Sequence, residues 1–417
     1  MQLNHIAGIK EKTTIQHLLS PVILVAALGY FVDIYDLLLF GIVRIPSLTD
    51  LGLNSAAISR EGAGILNWQM SGLLLGGILW GILGDKKGRL SVLFGSILTY
   101  SIANFGCGFV QSITVYKLLR FIAGIGLAGE LGAGITLVSE TLPRQLRAIG
   151  SSLVAGVGLL GAVAAYFTVE LFSWRNAYFT GGILGVLLLF MRIGVFESDT
   201  FKKMDGKQIA KGEFFSFFTN TDRLKLYLKC VGIGLPTWYV IGILSTFSNE
   251  FGKSVKVGEA VKPGLSVMWC YVGLAAGDLL SGFISNRLQS RRKAVLFLMG
   301  LSFTGCLVYL YAGINTVENI YFLNAFMGFG IGYWAMFVTI GAEQFGTNLR
   351  ATAATTIPNI VRGTVVIMTL SYGALKPLIA VNNAAGIVGA VCFAIGFYCI
   401  YNVPETHDRD LDFIEER

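Results

Sequence analysis

The chain has 417 residues, of which 54% are hydrophobic and only 14% charged. Soluble domains carry about 25% charged residues, so an ordinary soluble protein is excluded. The +7 net charge is therefore to be read by where the charges fall, not as the mark of a polyanion partner.

Apolar runs of about 18–25 residues recur along the whole sequence, each able to cross a hydrocarbon core of about 30 Å as a helix. They are far too long for barrel strands, and only helices or closed barrels satisfy their backbone in lipid. Twelve spans are predicted, near 20–44, 62–83, 90–110, 115–137, 148–170, 174–195, 224–248, 263–284, 293–313, 318–341, 353–377 and 382–403. The fold class is an all-α polytopic membrane protein. The first run is longer than a signal h-region and no small-residue cleavage site follows it, so it is expected to be retained. Most of the lysines and arginines fall on the side that would hold both termini, which the positive-inside rule makes cytoplasmic.

The first span contains "VDIYDLLLFG". Asp33 and Asp36 are three residues apart and share a helix face. A charge at mid-membrane costs about 2.5–3.5 kcal/mol on insertion scales, so both must face the interior or a wet cavity. A buried ion pair that fixes helix packing is the plain reading; proton or substrate handling is the functional one. In the fourth span Arg120 is a partner at similar depth, about 27 Å from the cytoplasmic end against about 22 Å for Asp36. Glu130, set among glycines in "LAGELGAG", is a second proton-site candidate or a structural hydrogen-bonding group.

The longest hydrophilic stretch separates six spans from six, dividing the chain into 1–195, a cytoplasmic loop 196–223, and 224–417. The halves echo each other. Gly72, Gly76, Gly81 and Asp85 recur as Gly273, Gly277, Gly282 and Asn286, and "ETLPRQLRA" recurs as "EQFGTNLRA". Internal repeats around a central site are a common transporter plan, although small residues also serve close helix packing alone. In the second half, Asp278 sits where the first half has Gly77. Arg362 lies about 17 Å into the eleventh span, after Pro358, which should loosen the helix and free backbone groups to line a cavity. A midplane arginine suits a carboxylate by bidentate geometry, or pairs with an acid such as Asp278. Tyr35, Gln69, Arg120, Trp238, Tyr239, Asn324, Trp334, Asn359 and Arg362 are the substrate-contact candidates; Asp33, Asp36, Arg120 and Glu130 are the proton-coupling candidates.

"GILGDKKGR" and "RFIAGIGLAGELGAGITLVSETLPRQLR", with the repeats and twelve spans, resemble the major facilitator superfamily, and the resemblance covers nearly the whole chain. "DIYDLLLFGIVRIPSL" and "LRATAATTIPNIVRG" are similar to its aromatic-acid–proton symporters, and "GELGAGITLVSETLP" to its metabolite–proton symporters. The resemblance implies two pseudo-symmetric six-helix bundles and alternating access. It implies pairing of Arg120 with a first-span carboxylate, Asp36 being the better match. It also implies a cytoplasmic gate of Asp85, Arg89, Glu140, Arg147, Glu197, Arg291, Glu343, Arg350 and Glu405, pairing across the halves. Asn286 and Ser290 depart from the motif's usual Asp and Gly, which predicts a weaker lock on that side.

The expected function is proton-coupled uptake of a small organic solute, bearing a carboxylate, by a monomer in a bacterial inner membrane. Its partners are that small molecule, protons and the bilayer. No enzyme constellation, cofactor, metal spacing or nucleic-acid patch is expected, and the six cysteines, all within spans, read as buried apolar residues. Proton-antiport export is the first alternative, disfavoured because the fifth span, "GSSLVAGVGLLGAVAAY", has no glycine-proline motif. A non-transporting receptor or scaffold is the second.

Overall fold

A computed structural model describes residues 20–87, 89–132, 134, 142, 147–192, 214–254, 259–314 and 316–407. Among them the protein is helical, with no strand. Span 1 is Pro21–Asp50, span 2 Ser55–Lys87, span 3 Arg89–Gly108, span 4 begins as Ile113–Leu127, and span 6 is Trp174–Met191. Span 5 is two helices, Arg147–Leu159 and Gly161–Leu171. Span 7 joins Thr221–Tyr239 to a π-helical turn, Val240–Ser245; spans 8 and 9 are Pro263–Leu288 and Arg291–Tyr311. Span 10 is Val317–Gly330 with Trp334–Glu343, span 11 is Thr347–Gly363 with Val365–Leu375, and span 12 is Val381–Asn402.

Ten of these stretches are long and apolar enough to cross a membrane. The other two are spans 4 and 6. The described helix that opens span 4 has only 15 residues, and span 6 opens on Trp174, Arg175 and Asn176. Spans 1 and 2 run longer than their apolar cores suggest, because the helix continues past Pro46 and begins at Ser55.

The packing repeats with the sequence. Span 2 packs on 4 as 8 packs on 10, span 3 on 6 as 9 on 12, and span 1 on 5 as 7 on 11. These contacts build two six-helix bundles. They meet along two related seams, span 2 against 11 and span 5 against 8. In lipid no hydrophobic drive pulls helices together, so close approach of small residues carries the packing. A Cβ at Gly72 would collide with the Phe121 carbonyl, and one at Gly273 with the Ala325 carbonyl. The glycine repeat thus marks where backbones touch. Outward-facing side chains such as Ile102, Phe167, Phe283 and Phe322 form the exposed apolar surface that lipid would cover.

Spans 7, 10 and 11 each depart from one continuous α-helix. Pro236 precedes the π-helical turn of span 7, a form that frequently marks functional sites. Span 10 breaks at Ile331–Tyr333. In span 11 the helix runs through Pro358 to Gly363 and restarts at Val365. All six cysteines are buried and free.

The end of the bundle that holds the start of span 1 and the end of span 12 is termed the terminal side, and the opposite end the distal side.

Candidate functional site

Between the bundles is a small space on the order of one water molecule. Tyr30 and Ile34 of span 1 and Leu159 of span 5 line it from the first half. Thr237, Trp238, Ile241, Tyr271, Leu274, Trp334 and Arg362 line it from the second. The Arg362 guanidinium sits 5.8 Å from the Trp238 ring centroid and 5.9 Å from that of Trp334, distances at which a cation is attracted to a ring. Its Nη1 donates to Asn359 Oδ1 at 3.3 Å. Its Nη2 lies 4.0 Å from Asp33 Oδ2, and both side chains are buried, at 1% and 0% exposure. The ion pair therefore crosses the two bundles. Its looseness leaves room: neither Asp33 oxygen accepts a hydrogen bond, nor does Arg362 Nε donate one.

Asp278, named as one acid that Arg362 could pair with, is engaged elsewhere. Asp278 Oδ1 accepts from Ala335 N at 3.0 Å, capping the second helix of span 10 just past its break. That is a structural use of a buried carboxylate: free N–H groups at a helix start need an acceptor.

Arg120 is fully buried in the first half. Its Nε donates to Gln69 Oε1 at 3.3 Å, its Nη1 to Asn104 Oδ1 at 2.9 Å, and its Nη2 to the main-chain carbonyl of Asp36 at 3.0 Å. The expected carboxylate pair is thus not formed: Arg120 holds Asp36 by its backbone. The Asp36 carboxylate oxygens accept no hydrogen bond, and one of them fills the space where Gly181 lacks a Cβ.

Glu130 is held by Arg192 at the end of span 6, a residue not among the candidates. Arg192 Nη1 donates to Oε2 at 3.1 Å and Nη2 contacts Oε1, with both side chains 1% exposed. Gly29 of span 1 packs directly on the pair. Glu130 is therefore tied within the first bundle and does not reach the central cavity.

Of the nine substrate-contact candidates, the cavity collects Trp238, Trp334 and Arg362, with Asn359 behind Arg362. Tyr35 donates to the Ala177 carbonyl, Gln69 to that of Leu37, and Tyr239 to that of Ala385. Asn324 accepts from Ser245 Oγ. These four, with Arg120, brace helices away from the cavity lining. Asn359 also bridges the bundles, donating to the Ala128 carbonyl at 2.8 Å. The missed lining residues are Tyr30, Ile34, Leu159, Thr237, Ile241, Tyr271 and Leu274. Tyr30 was findable, since it lies three residues before Asp33 and shares its face.

At the terminal side, Arg291 contacts Glu343 directly. Glu405 accepts from the Ser290 hydroxyl and from the main-chain N–H of Arg291 and Arg292. These partners all belong to the second bundle, so these pairs are not the expected cross-bundle ones. Burial pushes the Glu405 carboxyl up, but these donors outweigh it and hold it below its ordinary range. Ser290 caps span 9, its side chain accepting from Lys293 N at 3.2 Å while donating to Glu405. Glu140 and Glu197 lie outside the described residues, as do the side chains of Asp85, Arg89 and Arg147. Arg350 is half-buried at the start of span 11.

Among the described residues, a cluster of cross-bundle polar contacts lies at the distal side. Glu250, in the short helix Ser248–Ser254, accepts from Ser59 Oγ of the first bundle at 2.5 Å. From its own bundle it accepts from Tyr372 and Lys376, each at 2.9 Å. Burial pushes its carboxyl up, but the Ser59 hydroxyl, Lys376 and Tyr372 outweigh it and hold the carboxyl below the ordinary range. A depressed folded-state pKa gives stability that is present above the unfolded value and lost as pH falls through the folded one. Glu250→Gln is accordingly expected to lower the unfolding temperature at about pH 7. The gap to wild type should narrow as pH falls below the ordinary glutamate range; a pH-independent gap would show that the charge is idle.

Two helical bundles around a buried, charged, aromatic-lined space define a membrane transporter. The sequence profile of the Major Facilitator Superfamily matches residues 26–367, and the chain belongs to that family. It is a multi-pass membrane transporter and not an enzyme. A putative metabolite transport protein of Haemophilus influenzae is 27% identical, covering 93% of this chain and 96% of its own. A probable 4-methylmuconolactone transporter of Cupriavidus pinatubonensis is 26% identical, covering 93% and 91%. A cis,cis-muconate transport protein of Acinetobacter baylyi is 26% identical, covering 89% and 91%. The alignments therefore run through both bundles. The solved structure of the proton:xylose symporter XylE bound to 6-bromo-6-deoxy-D-glucose superposes with a TM-score of 0.73 at 16% identity, over 94% of this chain and 97% of that one. At that identity the likeness speaks for the fold alone.

Proposed function

We propose that the protein is a proton-coupled symporter that takes up a small, planar, carboxylate-bearing metabolite by alternating access. It acts as a monomer in a bacterial inner membrane, with both termini cytoplasmic and the distal side facing out. The observation that carries this reading is the Asp33–Arg362 pair, set across the bundles beneath the rings of Trp238 and Trp334. Arg362 offers a fork that matches a carboxylate. Tyr30, Trp238, Tyr271 and Trp334 offer flat faces that suit a conjugated or aromatic body. Relatives named for a muconolactone and for muconate fit the same chemistry.

In this scheme the empty carrier closes with Arg362 paired to Asp33. A proton neutralises Asp33 when the distal side is open, and Arg362 then takes the solute carboxylate. The bundles rock about the loaded site, the terminal side opens, and solute and proton leave together. Asp33 then recaptures Arg362. Asp36, three residues away and fixed through its carbonyl by Arg120, is placed to relay the proton to Asp33.

The test uses the purified protein in vesicles with an acid exterior and labelled benzoate as the probe. Wild type should accumulate benzoate above equilibrium. Asp36→Asn should lose accumulation by at least about ten-fold while retaining benzoate exchange, the behaviour of a carrier that still rocks but no longer couples. Accumulation that persists with unchanged pH dependence removes Asp36 from the proton path.

A further inference from the structure

Four arginines are among the largest fully buried side chains: Arg44, Arg120, Arg192 and Arg362. Arg192 has Glu130 and Arg362 has Asp33, and Arg120 is set in the polar network of the first bundle. Arg44 has no such explanation. It lies on span 1, eleven residues beyond Asp33. Eleven residues at 3.6 per turn is three turns and a remainder of about 20°, so the two residues share a face. Arg44 stands about 16 Å further toward the distal side.

Every described hydrogen bond of its guanidinium goes to the other bundle. Nη2 donates to the Thr246 carbonyl at 2.9 Å and to Asn249 Oδ1 at 3.0 Å, and the group lies 4.5 Å from the centroid of the Phe247 ring. Nε is buried without a partner. No carboxylate reaches it within ion-pair distance among the described residues. The acid whose charge it feels, Glu250, is bound to Ser59, Tyr372 and Lys376. The stem lies in a slot that Gly62 of span 2 keeps open: a Cβ there would stand 2.8 Å from Arg44 Cδ.

A neutral amide would satisfy Thr246 and Asn249 without burying a charge, and a buried charge is costly unless paired. The cation therefore has a use in another state. When the bundles part on the distal side, Thr246, Phe247 and Asn249 leave together, because all belong to the second bundle. What remains is an arginine on the wall of the opening, three turns above Asp33 and on its face.

We infer that Arg44 is a docking site for the carboxylate of an entering solute, which it captures at the open distal mouth and passes down the same face of span 1 to Arg362. Closure of the seam returns Arg44 to the Thr246 carbonyl and so drives release toward the cavity. This rests on the reading of the cargo as a carboxylate.

The test is benzoate uptake by full-length protein in vesicles, with KM and kcat separated and ionic strength varied. Arg44→Gln should raise KM at least about ten-fold, with kcat changed less than about two-fold, and should flatten the fall of kcat/KM with salt, since charge at a mouth acts on capture. Arg44→Lys, which keeps the charge, should stay within about three-fold of wild-type KM. Asn249→Ala strips the seam partner but leaves the cation, and should hold both KM and salt dependence. A loss of kcat at constant KM in Arg44→Gln, or equal damage by Arg44→Lys and Asn249→Ala, would identify a packing residue and overturn the inference. Wild-type vesicles that move none of benzoate, nicotinate or muconate would overturn the carboxylate reading itself; active wild type with an indifferent Arg44→Gln overturns only the docking site.

Discussion

Arg362→Gln should abolish carboxylate transport while leaving a folded protein. Truncating one member of a buried charge pair costs about 2–5 kcal/mol in binding, so the expected loss in benzoate kcat/KM is about thirty-fold or more. The same change leaves Asp33 without a cation in the interior. Asp33→Asn added to Arg362→Gln should therefore restore the unfolding temperature toward wild type without restoring benzoate transport. That separation matters because Arg362 has two partners in the proposed cycle, an internal carboxylate in the empty carrier and an external one in the loaded carrier. Benzamide, which lacks the anion, serves as the second probe. If Arg362→Gln lowers binding of benzoate and benzamide equally, the arginine shapes the cavity and does not recognise charge.

The architecture was legible because its causes are repetitive. Twelve apolar runs follow from bilayer thickness, and the two bundles follow from a glycine pattern that records where backbones touch, at Gly72 against Phe121 and Gly273 against Ala325. The site was legible in its ingredients more than in its pairings. Asp33, Trp238, Trp334 and Arg362 were picked out because charge and large rings inside a membrane need a reason. Which carboxylate meets which arginine depends on helix rotation and tilt, and depth counted along a helix axis fixes neither. That is why Arg120 finds the Asp36 carbonyl and not its carboxylate. Arg192 was hidden for a related reason: it sits at the boundary between a span and a basic loop, where an arginine normally records topology. The short helix bearing Glu250 lies past the apolar run of span 7, so nothing in hydropathy pointed to the distal closure.

Glu130→Ala should be strongly destabilising. Removing one member of a buried ion pair costs about 3–5 kcal/mol, because the remaining charge is left uncompensated. Arg192 is 1% exposed, with Gly29 packed on it, so neither water nor lipid headgroups can reach it without parting spans 1 and 6. Glu130→Gln keeps a hydrogen-bond acceptor and should lose less. Replacing both partners, as Glu130→Leu with Arg192→Met, should recover most of the stability, since buried pairs exchanged for apolar side chains of similar volume are often neutral or better. Detergent-solubilised unfolding measures the first part. Transport by the apolar double variant decides the rest: near-normal, pH-dependent accumulation of benzoate confines the pair to holding the terminal ends of spans 4 and 6 together. Full stability with accumulation lost would instead give Glu130 a share in moving the proton, despite its distance from the cavity lining.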